Sequence, residues 1–153
     1  PDLDLYDNDW PVWTHQEQLP PAKFVFADPD RHGSATDSLV SGGCIISGSR
    51  IVRSLLFSNV RVHSYGTIED SVILPNVEVH RRVRLRRAVV DKNCVLPEGL
   101  NAGFDAEQDK RRFHLTDNNV VLITPDMLGQ QAVHQSDGVS AADLPLPAST
   151  KND

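Results

Sequence analysis

Apolar residues recur at a fixed period in the middle of the chain. From Arg53 to Gly103 the sequence divides into three consecutive rows of seventeen residues. The matching columns are Ser54, Ser71 and Ala88; Leu55, Val72 and Val89; Leu56, Ile73 and Val90; Asn59, Asn76 and Asn93; and Val62, Val79 and Leu96. A short repeat of this kind indicates that each unit buries its apolar face against a copy of itself.

The period predicts a coil of short strands. Seventeen residues are too few for a helical-hairpin repeat, and the rows are rich in Val, Leu and Ile without helical spacing. Within a row the apolar clusters lie about six residues apart, which predicts three short sides and a triangular all-β solenoid. The Asn column is predicted at a corner, because Asn tolerates positive φ. A partial row from Gly43 to Val52 predicts that the coil begins near Val40, with Cys44 in the small-residue column.

The first 38 residues carry acidic, aromatic and proline residues without a sustained period. We therefore predict a connector over 1–38 and a polar loop over 27–37 within it. Its large apolar side chains should pack against the coil or against a neighbouring domain, because leaving them in water is costly. These side chains are Trp10, Trp13, Phe24 and Phe26.

The coil domain is assigned to 39–128. After its repeats, Asp105 is predicted to cap a helix over 106–113, with Gln108 three residues further on as in a capping box. A strand is predicted over Val120 to Ile123, followed by a helical turn that starts at Thr124 and Pro125.

The remaining segment, 129–153, is rich in Gln, Ser, Ala, Pro and Asp and is predicted to be disordered.

Net charge and cysteine spacing exclude several classes of protein. A formal charge of −6 and a pI near 5.4 argue against a nucleic-acid-binding module. Cys44 and Cys94 lie fifty residues apart without a CxxC motif, which predicts small core residues instead of a zinc site or a disulfide. No long apolar run or signal peptide is present in the sequence, so we expect no membrane partner and a cytoplasmic location.

Positive charge is concentrated in one part of this acidic chain. Residues 45–92 hold nine Lys and Arg against four Asp and Glu. Strand alternation would place Arg82, Arg84 and Arg86 on one face, with the residues between them inward. Such a row suits anion binding, but it also suits a solvated face neutralised by nearby acids. The candidate phosphate-binding residues are Arg81, Arg82, Arg84, Arg86, Arg87 and Lys92.

Several segments together resemble one enzyme family. They are WPVWTHQEQLPPAKFV, DSLVSGGCIISGS, LFSNVRVHS, VILPNVEV, RLRRAVVDKNCVLPEGL and DKRRFH. In this order, over about 2–128, they resemble the C-terminal third of bacterial glucose-1-phosphate adenylyltransferase, which makes ADP-glucose and diphosphate from ATP and glucose 1-phosphate for glycogen or starch synthesis. The resemblance implies a left-handed parallel β-helix, a hand that the period alone does not specify.

The resemblance also implies where catalysis occurs. In this family an N-terminal nucleotide-binding domain with a Gly-rich phosphate loop carries the reaction, and the 153 residues contain no such loop. We therefore expect a C-terminal fragment, opening with Pro1 instead of Met, that has no catalytic residues, no cofactor and no adenylyltransferase activity of its own. Mg²⁺ is expected for the parent enzyme. The implied partners are its own N-terminal catalytic domain and further copies of the chain, with a tetramer in the parent.

The family is allosteric, with sugar phosphates or other glycolytic intermediates as activators and AMP or phosphate as inhibitors. Lys92 matches a family position, usually Arg, near the nucleotide effector. Pro125 stands where the family often carries an effector-contacting Arg, so the identity of the activator is open.

A second interpretation belongs to a different class of function. His63 and His80 share a column one row apart, and hexapeptide β-helix acyltransferases use a His as general base. The alternative prediction is thus a free-standing acyltransferase with His63 or His80 as the base.

Overall fold

The structure is a computed structural model that describes residues 17–131. Its strands are β1 (Lys23–Val25), β2 (Ala27–Asp28), β3 (Arg31–His32), β4 (Ser34–Thr36), β5 (Leu39–Val40), β6 (Ile45–Ser47), β7 (Arg50–Val52), β8 (Leu55–Leu56), β9 (Arg61–Val62), β10 (Thr67–Glu69), β11 (Val72–Ile73), β12 (Glu78–Val79), β13 (Arg84–Arg86), β14 (Ala88–Val90), β15 (Val95–Leu96), β16 (Asn101–Ala102), β17 (His114–Leu115) and β18 (Val121–Ile123). The helices are α1 (Ala106–Arg112) and a 3₁₀ turn at Asp126–Leu128.

The strands form the three faces of a parallel coil. Sheet 1 has the order β1-β6-β9-β12-β15, and sheet 2 has the order β4-β7-β10-β13-β16. Sheet 3 has the order β5-β8-β11-β14-β18, with β17 antiparallel at its end. Val79 pairs with Val62 on one side and with Leu96 on the other, so each row stacks on the row before it. The predicted all-β triangular solenoid is confirmed.

The parallel ladder begins earlier than the sequence predicted. Strand β1, inside the segment predicted as a connector, pairs in parallel with β6, and β4 pairs with β7. The predicted polar loop contains an antiparallel hairpin, β2–β3, before β4. This hairpin breaks the seventeen-residue period. The strands β6 and β7 nevertheless form backbone hydrogen bonds with β1 and β4, so their edges are not left unpaired. The boundary at residue 39 is therefore too late.

Phe24 and Phe26, the two aromatic residues of this segment that the structure describes, do not enter the core. Phe24 is 45% exposed, and Phe26 is 43% exposed with the Arg31 guanidinium 3.4 Å from its ring centre. Trp10 and Trp13 lie outside the described residues. Packing of these aromatic side chains against a neighbouring domain stays a prediction.

Alternation along each strand separates core columns from surface columns. Ile46, Val62, Val79 and Leu96 form one inward column, and Leu56, Ile73, Val90 and Ile123 form another, all fully buried. Cys44 lies in a third, with Val60, Val77 and Cys94. The prediction that Cys44 lies in the column of Ser54 is wrong. A small residue followed by two apolar residues occurs on two sides of the coil, and the sequence alone does not show on which side such a triplet lies.

The two cysteines are buried and free, as predicted. Three strand spacings separate them in their shared column, or about 14 Å, which is too far for a disulfide. Burial raises the pKa of Cys94 to about 12. Both thiols are therefore unreactive core side chains.

Each row turns through residues with positive φ. Asn59, Asn76 and Asn93 have φ of 60°, 60° and 59° at the corner between sheets 3 and 1, so the prediction for the Asn column is confirmed. The corner between sheets 2 and 3 is shorter. There the Ser54 hydroxyl accepts a hydrogen bond from the Ser71 backbone N–H at 3.1 Å. The small-residue column thus allows a tight corner between sheets 2 and 3.

The C-terminal end of the coil is closed by α1 and its flanking residues. Asp105 caps the helix, as predicted, by accepting hydrogen bonds from the N–H groups of Glu107 and Gln108. The buried Asp109 carboxylate accepts a hydrogen bond from the Gly103 N–H at 2.9 Å. Phe113, at the end of the helix, packs into the core.

The predicted strand after the helix is present as β18, and it rejoins sheet 3 beside β14. The 3₁₀ turn that follows Pro125 is also present. Most of the segment predicted to be disordered lies outside the described residues. Over 17–131, no helix has the length and apolarity needed to cross a membrane.

Candidate functional site

The arginine-rich row, residues 81–87, consists of strand β13 of sheet 2 and the corners on both sides of it. Arg84 and Arg86 are exposed on β13, and Leu85 between them is fully buried, as alternation predicts. Arg81 and Arg82 form the corner before this strand, and Arg87 forms the corner after it. The row is therefore a two-arginine face with arginines at both of its borders.

Two of the border arginines already have partners. Arg82, expected on the same face as Arg84, instead lies in the corner with φ of 58°, and its guanidinium donates to Glu98 Oε1 at 2.8 Å. Arg87 donates to the backbone oxygen of Asn118 at 2.7 Å. Both guanidinium groups are thereby partly neutralised or satisfied, so they are weaker candidates for holding a ligand.

Arg84 stacks on an aromatic ring, and within residues 17–131 its guanidinium donates no hydrogen bond. Its guanidinium carbon lies 4.6 Å from the centre of the Phe104 ring, and that ring is 45% exposed. A guanidinium that stacks on an aromatic face keeps its N–H groups in its own plane, where they can contact an anion. The neighbouring outward positions in register are Thr67 and Asn101, which add hydrogen-bonding groups to the same face.

The structure separates Lys92 from these arginines. Lys92 follows β14 and precedes β15, at the corner where sheets 3 and 1 meet, and its backbone N–H is held by Asp91 Oδ1 at 2.8 Å. In a three-sided coil this corner lies across from sheet 2, which carries Arg84 and Arg86. The six predicted site residues therefore do not surround one point.

A charge ladder follows the short corner between sheets 2 and 3. Asp37, Arg53, Asp70 and Arg87 occupy equivalent positions there, with φ between 45° and 49°. Arg53 binds Asp70 through two hydrogen bonds of 2.6 and 3.0 Å. The Arg53 guanidinium holds the pKa of the Asp70 carboxyl below its usual range. The sequence analysis missed this ladder, although the alternating Asp and Arg at spacings of 16 and 17 would have shown it.

An open groove lies beside this ladder. It is lined by Asp37, Leu39, Arg53, Ser54, Leu55, Asp70, Ser71 and Val72. Its lining therefore combines the Arg53–Asp70 ion pair with aliphatic side chains from the outer face of sheet 3.

One surface of sheet 3 is apolar on every consecutive rung. The outward column consists of Leu39, Leu55, Val72, Val89 and Leu122. Leu39 at one end is 71% exposed. The equivalent columns of sheets 1 and 2 carry charged and polar residues such as Arg61, Glu78 and Arg84, so sheet 3 is the side suited to contact another protein surface.

The histidine column predicted from the sequence is present on sheet 1. The rings of His63 and His80 are stacked, with centroids 5.1 Å apart and planes within 2°. Glu78 joins them, since its Oε1 lies 2.8 Å from His63 Nε2. Within residues 17–131, His63, Glu78 and His80 form a group of three possible metal ligands that lie close enough together to share an ion. Two imidazoles and one carboxylate do not fit Mg²⁺, which prefers oxygen ligands.

The chain is similar in sequence to proteins that contain hexapeptide repeats, in agreement with the observed coil. The family model described as GlmU-like, C-terminal hexapeptide matches residues 20–123. The glucose-1-phosphate adenylyltransferase of Nitrosospira multiformis is 66% identical over 131 residues, which are 86% of this chain and 31% of the relative. That of Nitrosomonas europaea is 65% identical over 130 residues, 85% of this chain and 30% of the relative.

A third relative gives the same picture. The glucose-1-phosphate adenylyltransferase of Alteromonas mediterranea is 61% identical over 131 residues, 85% of this chain and 30% of the relative. The chain thus spans less than a third of the length of these curated relatives. The resemblance to this enzyme family that the sequence motifs indicated is confirmed.

The family match covers more than half of the chain. It begins three residues before β1 and ends with β18, so it includes every strand of the parallel coil. The chain therefore belongs to the GlmU-like C-terminal hexapeptide family, and its coil is the left-handed parallel β-helix of hexapeptide-repeat proteins.

Proposed function

We propose that the chain is the β-helix segment of a glucose-1-phosphate adenylyltransferase, in which it regulates the catalytic part and joins subunits. The observation that carries this proposal is the identity of 57–66% to relatives of that name over most of the chain. Because the chain is so similar to a segment that makes up about 30% of those relatives, we infer that it forms the corresponding segment of a similar enzyme. The proposed location is the cytoplasm.

Catalysis in this proposal belongs to the rest of the longer enzyme. Phosphoryl-group chemistry needs metal-binding carboxylates and positioned cations around the reacting phosphates. Over the described residues the acids are distributed along the coil, and Asp70 at the short corner is paired with Arg53. Mg²⁺ would accordingly act in the catalytic part, and the chain alone should make no ADP-glucose.

The regulatory part of the proposal centres on Arg84 and Arg86. These are the arginines that the strand presents outward, and Arg84 is supported from below by Phe104. A phosphorylated effector or AMP brings a dianionic phosphate that such a pair attracts. Lys92, at the far corner, would contact a different part of an effector or a different effector molecule.

The expected affinity of this face alone is low. Two or three charge-assisted hydrogen bonds contribute about 1.5–3 kcal/mol each before the entropy of association is subtracted. A second surface from the catalytic part would close the site. An effector that contacts both parts favours one relative arrangement over another, which is the requirement for coupling between distant sites.

We expect Arg84→Ala, placed in the longer enzyme, to raise the activator concentration for half-maximal effect by about tenfold or more, because one charge-assisted contact is lost. Initial rates of ADP-glucose synthesis against activator concentration measure this, with AMP inhibition as a second readout. Lys92→Ala tests the far corner separately.

Arg111→Ala is the matched control, since Arg111 is an exposed arginine on α1. Unchanged activation and inhibition in Arg84→Ala, Arg86→Ala and Lys92→Ala would reduce the arginine row to a solvated face. Synthesis of ADP-glucose by the purified chain itself would contradict the assignment of catalysis to another part.

The joining of subunits is proposed to use the apolar column of sheet 3. Burying Leu55, Val72 and Val89 against a second copy removes aliphatic surface from water. A symmetric pairing of two such faces gives a closed dimer. The resemblance to a family that is usually tetrameric supports the same expectation.

Light scattering of the chain at high micromolar concentration should give a dimer or tetramer mass. Val72→Lys should shift that mass to the monomer, because the charge would be buried in the contact. Thr67→Lys, an outward substitution on sheet 2, should leave the mass unchanged. A monomer mass for the unmodified chain would count against self-association.

One observation favours a second candidate function. The 2.8 Å contact between His63 Nε2 and Glu78 Oε1 is the arrangement in which a carboxylate orients a general base. A hexapeptide acyltransferase would use such a pair. Binding of acetyl-coenzyme A by the chain, lost in His63→Gln, would favour this candidate over the regulatory segment.

A further inference from the structure

The surface of sheet 1 carries a cluster of three ligand-type side chains from two consecutive rows. Val62 and Val79 are paired in register and fully buried, so the next residues, His63 and His80, both point outward one rung apart. Glu78 precedes Val79 and lies on the same outer face as His80, because residues two apart along a strand share a face. The sheet register thus assembles the cluster without any long loop.

The side chains are already close to one another. One ligand atom from each of the three residues lies within 4.8 Å of the others. Tetrahedral zinc binds imidazole nitrogen at about 2.0–2.1 Å, which puts neighbouring ligand atoms about 3.3 Å apart. Small rotations about the side-chain bonds can shorten the separations of the ligand atoms from at most 4.8 Å to this distance. The side chains of His63 and Glu78 are 32% and 39% exposed, so they have room to rotate and an ion can reach them.

The donor set selects the class of metal. Two imidazoles and a carboxylate are ligands of Zn²⁺ and of neighbouring divalent transition metals, and three protein ligands leave a further position for water or another group. A metal would replace the proton between Glu78 and His63.

The neighbours of the cluster include one positive charge. Arg61 pairs with Glu78 in the sheet and opposes the binding of a cation. The outward residues on the flanking rows are Ile45 and Ser47 on one side and Val95 and Pro97 on the other, and none of them titrates or is charged. Glu78 offsets Arg61, and the two imidazoles remain available to a metal.

We propose that His63, Glu78 and His80 form a binding site for Zn²⁺ or a similar divalent transition metal, which links two consecutive rows of the coil. The inference is independent of the proposed regulatory function. A metal that binds the folded coil and bridges two rows stabilises it against unfolding, because the unfolded chain does not hold the three ligands together.

Isothermal titration of the 153-residue chain with ZnCl₂ is the direct test. We expect one Zn²⁺ per chain with a dissociation constant in the micromolar range and a higher melting temperature in its presence. Titration with CoCl₂ should produce the visible absorption of four- or five-coordinate Co²⁺.

His80→Gln and Glu78→Gln should each weaken Zn²⁺ binding by about tenfold or more and abolish the Co²⁺ absorption. Both side chains lie on the outer face, so these variants should keep the melting temperature of the metal-free parent. His114→Gln is the matched control, since His114 is an exposed histidine on β17.

No heat and no melting shift with either metal, or equal binding by His80→Gln and His114→Gln, would overturn the site. None of these readouts uses ADP-glucose synthesis or its regulation. The metal site and the proposed function can therefore fail separately.

Discussion

Ile73→Asp is expected to unfold the coil. Ile73 is fully buried in the inward column between Leu56 and Val90. The substitution removes an aliphatic side chain whose burial contributes about 1.5–3 kcal/mol, and an unpaired buried carboxylate costs a further 3–5 kcal/mol or so. Together these approach the whole stability of a typical domain, about 5–15 kcal/mol. Circular dichroism should show either no cooperative melting transition or a melting temperature lowered by about 20 °C or more.

Thr67→Asp is the matched control for this substitution. Thr67 lies on β10, the strand that precedes the strand of Ile73, but it faces outward between Arg50 and Arg84. A carboxylate there is solvated and has two cations beside it, so the melting temperature should change by only a few degrees. If Ile73→Asp melts within a few degrees of the parent, then the inward direction of this column is wrong.

Gly103→Ala is the second substitution with a large expected effect. A Cβ at this position would lie 1.7 Å from the backbone oxygen of Arg86 and 2.7 Å from its carbonyl carbon. Backbone atoms cannot rotate out of the way, so β16 and the start of α1 would have to move. The hydrogen bond from the Gly103 N–H to the buried Asp109 would be lengthened at the same time. We expect a loss of about 3–5 kcal/mol in the free energy of unfolding, measured by urea denaturation.

Gly99→Ala separates the clash from the backbone conformation. Gly99 also has a positive φ, 75° against 89° for Gly103, but a Cβ there would meet no atom within 4 Å. Its cost should be that of the left-handed conformation alone, about 1–2 kcal/mol. Equal urea midpoints for the two variants would mean that the close approach of Gly103 to Arg86 carries no energetic weight.

The candidate site was predictable only in part. Alternation along a strand is a local property, so the outward direction of Arg84 and Arg86 follows from the buried Leu85 between them. Which corner a residue occupies depends on how many residues each turn uses. Arg82 was placed on the wrong face for this reason, since it lies in a turn. The sequence also did not show that Lys92 lies on the corner across from sheet 2.

Clusters from different rows were harder to predict. His63 and His80 share a column at a separation of seventeen and were paired from the sequence. Glu78 is fifteen residues from His63, so it falls outside the column, and only the sheet register and the side-chain direction bring its carboxylate to the imidazole. The apolar column of sheet 3 was likewise visible over the regular rows, but its extension to Leu39 and Leu122 depends on pairings across interruptions.

The sequence by itself determined the three-sided coil, its in-and-out alternation, the asparagine corner and the cap at Asp105. Each of these depends on side chains whose preferences act over a few residues or recur at an unbroken period. Only the tertiary structure decided that β1 and β18 belong to the ladder. A hairpin separates β1 from the regular rows and a helix separates β18 from them. Once the period is interrupted, pairing is decided by the unpaired backbone edge of the neighbouring row, and the linear sequence does not display that edge.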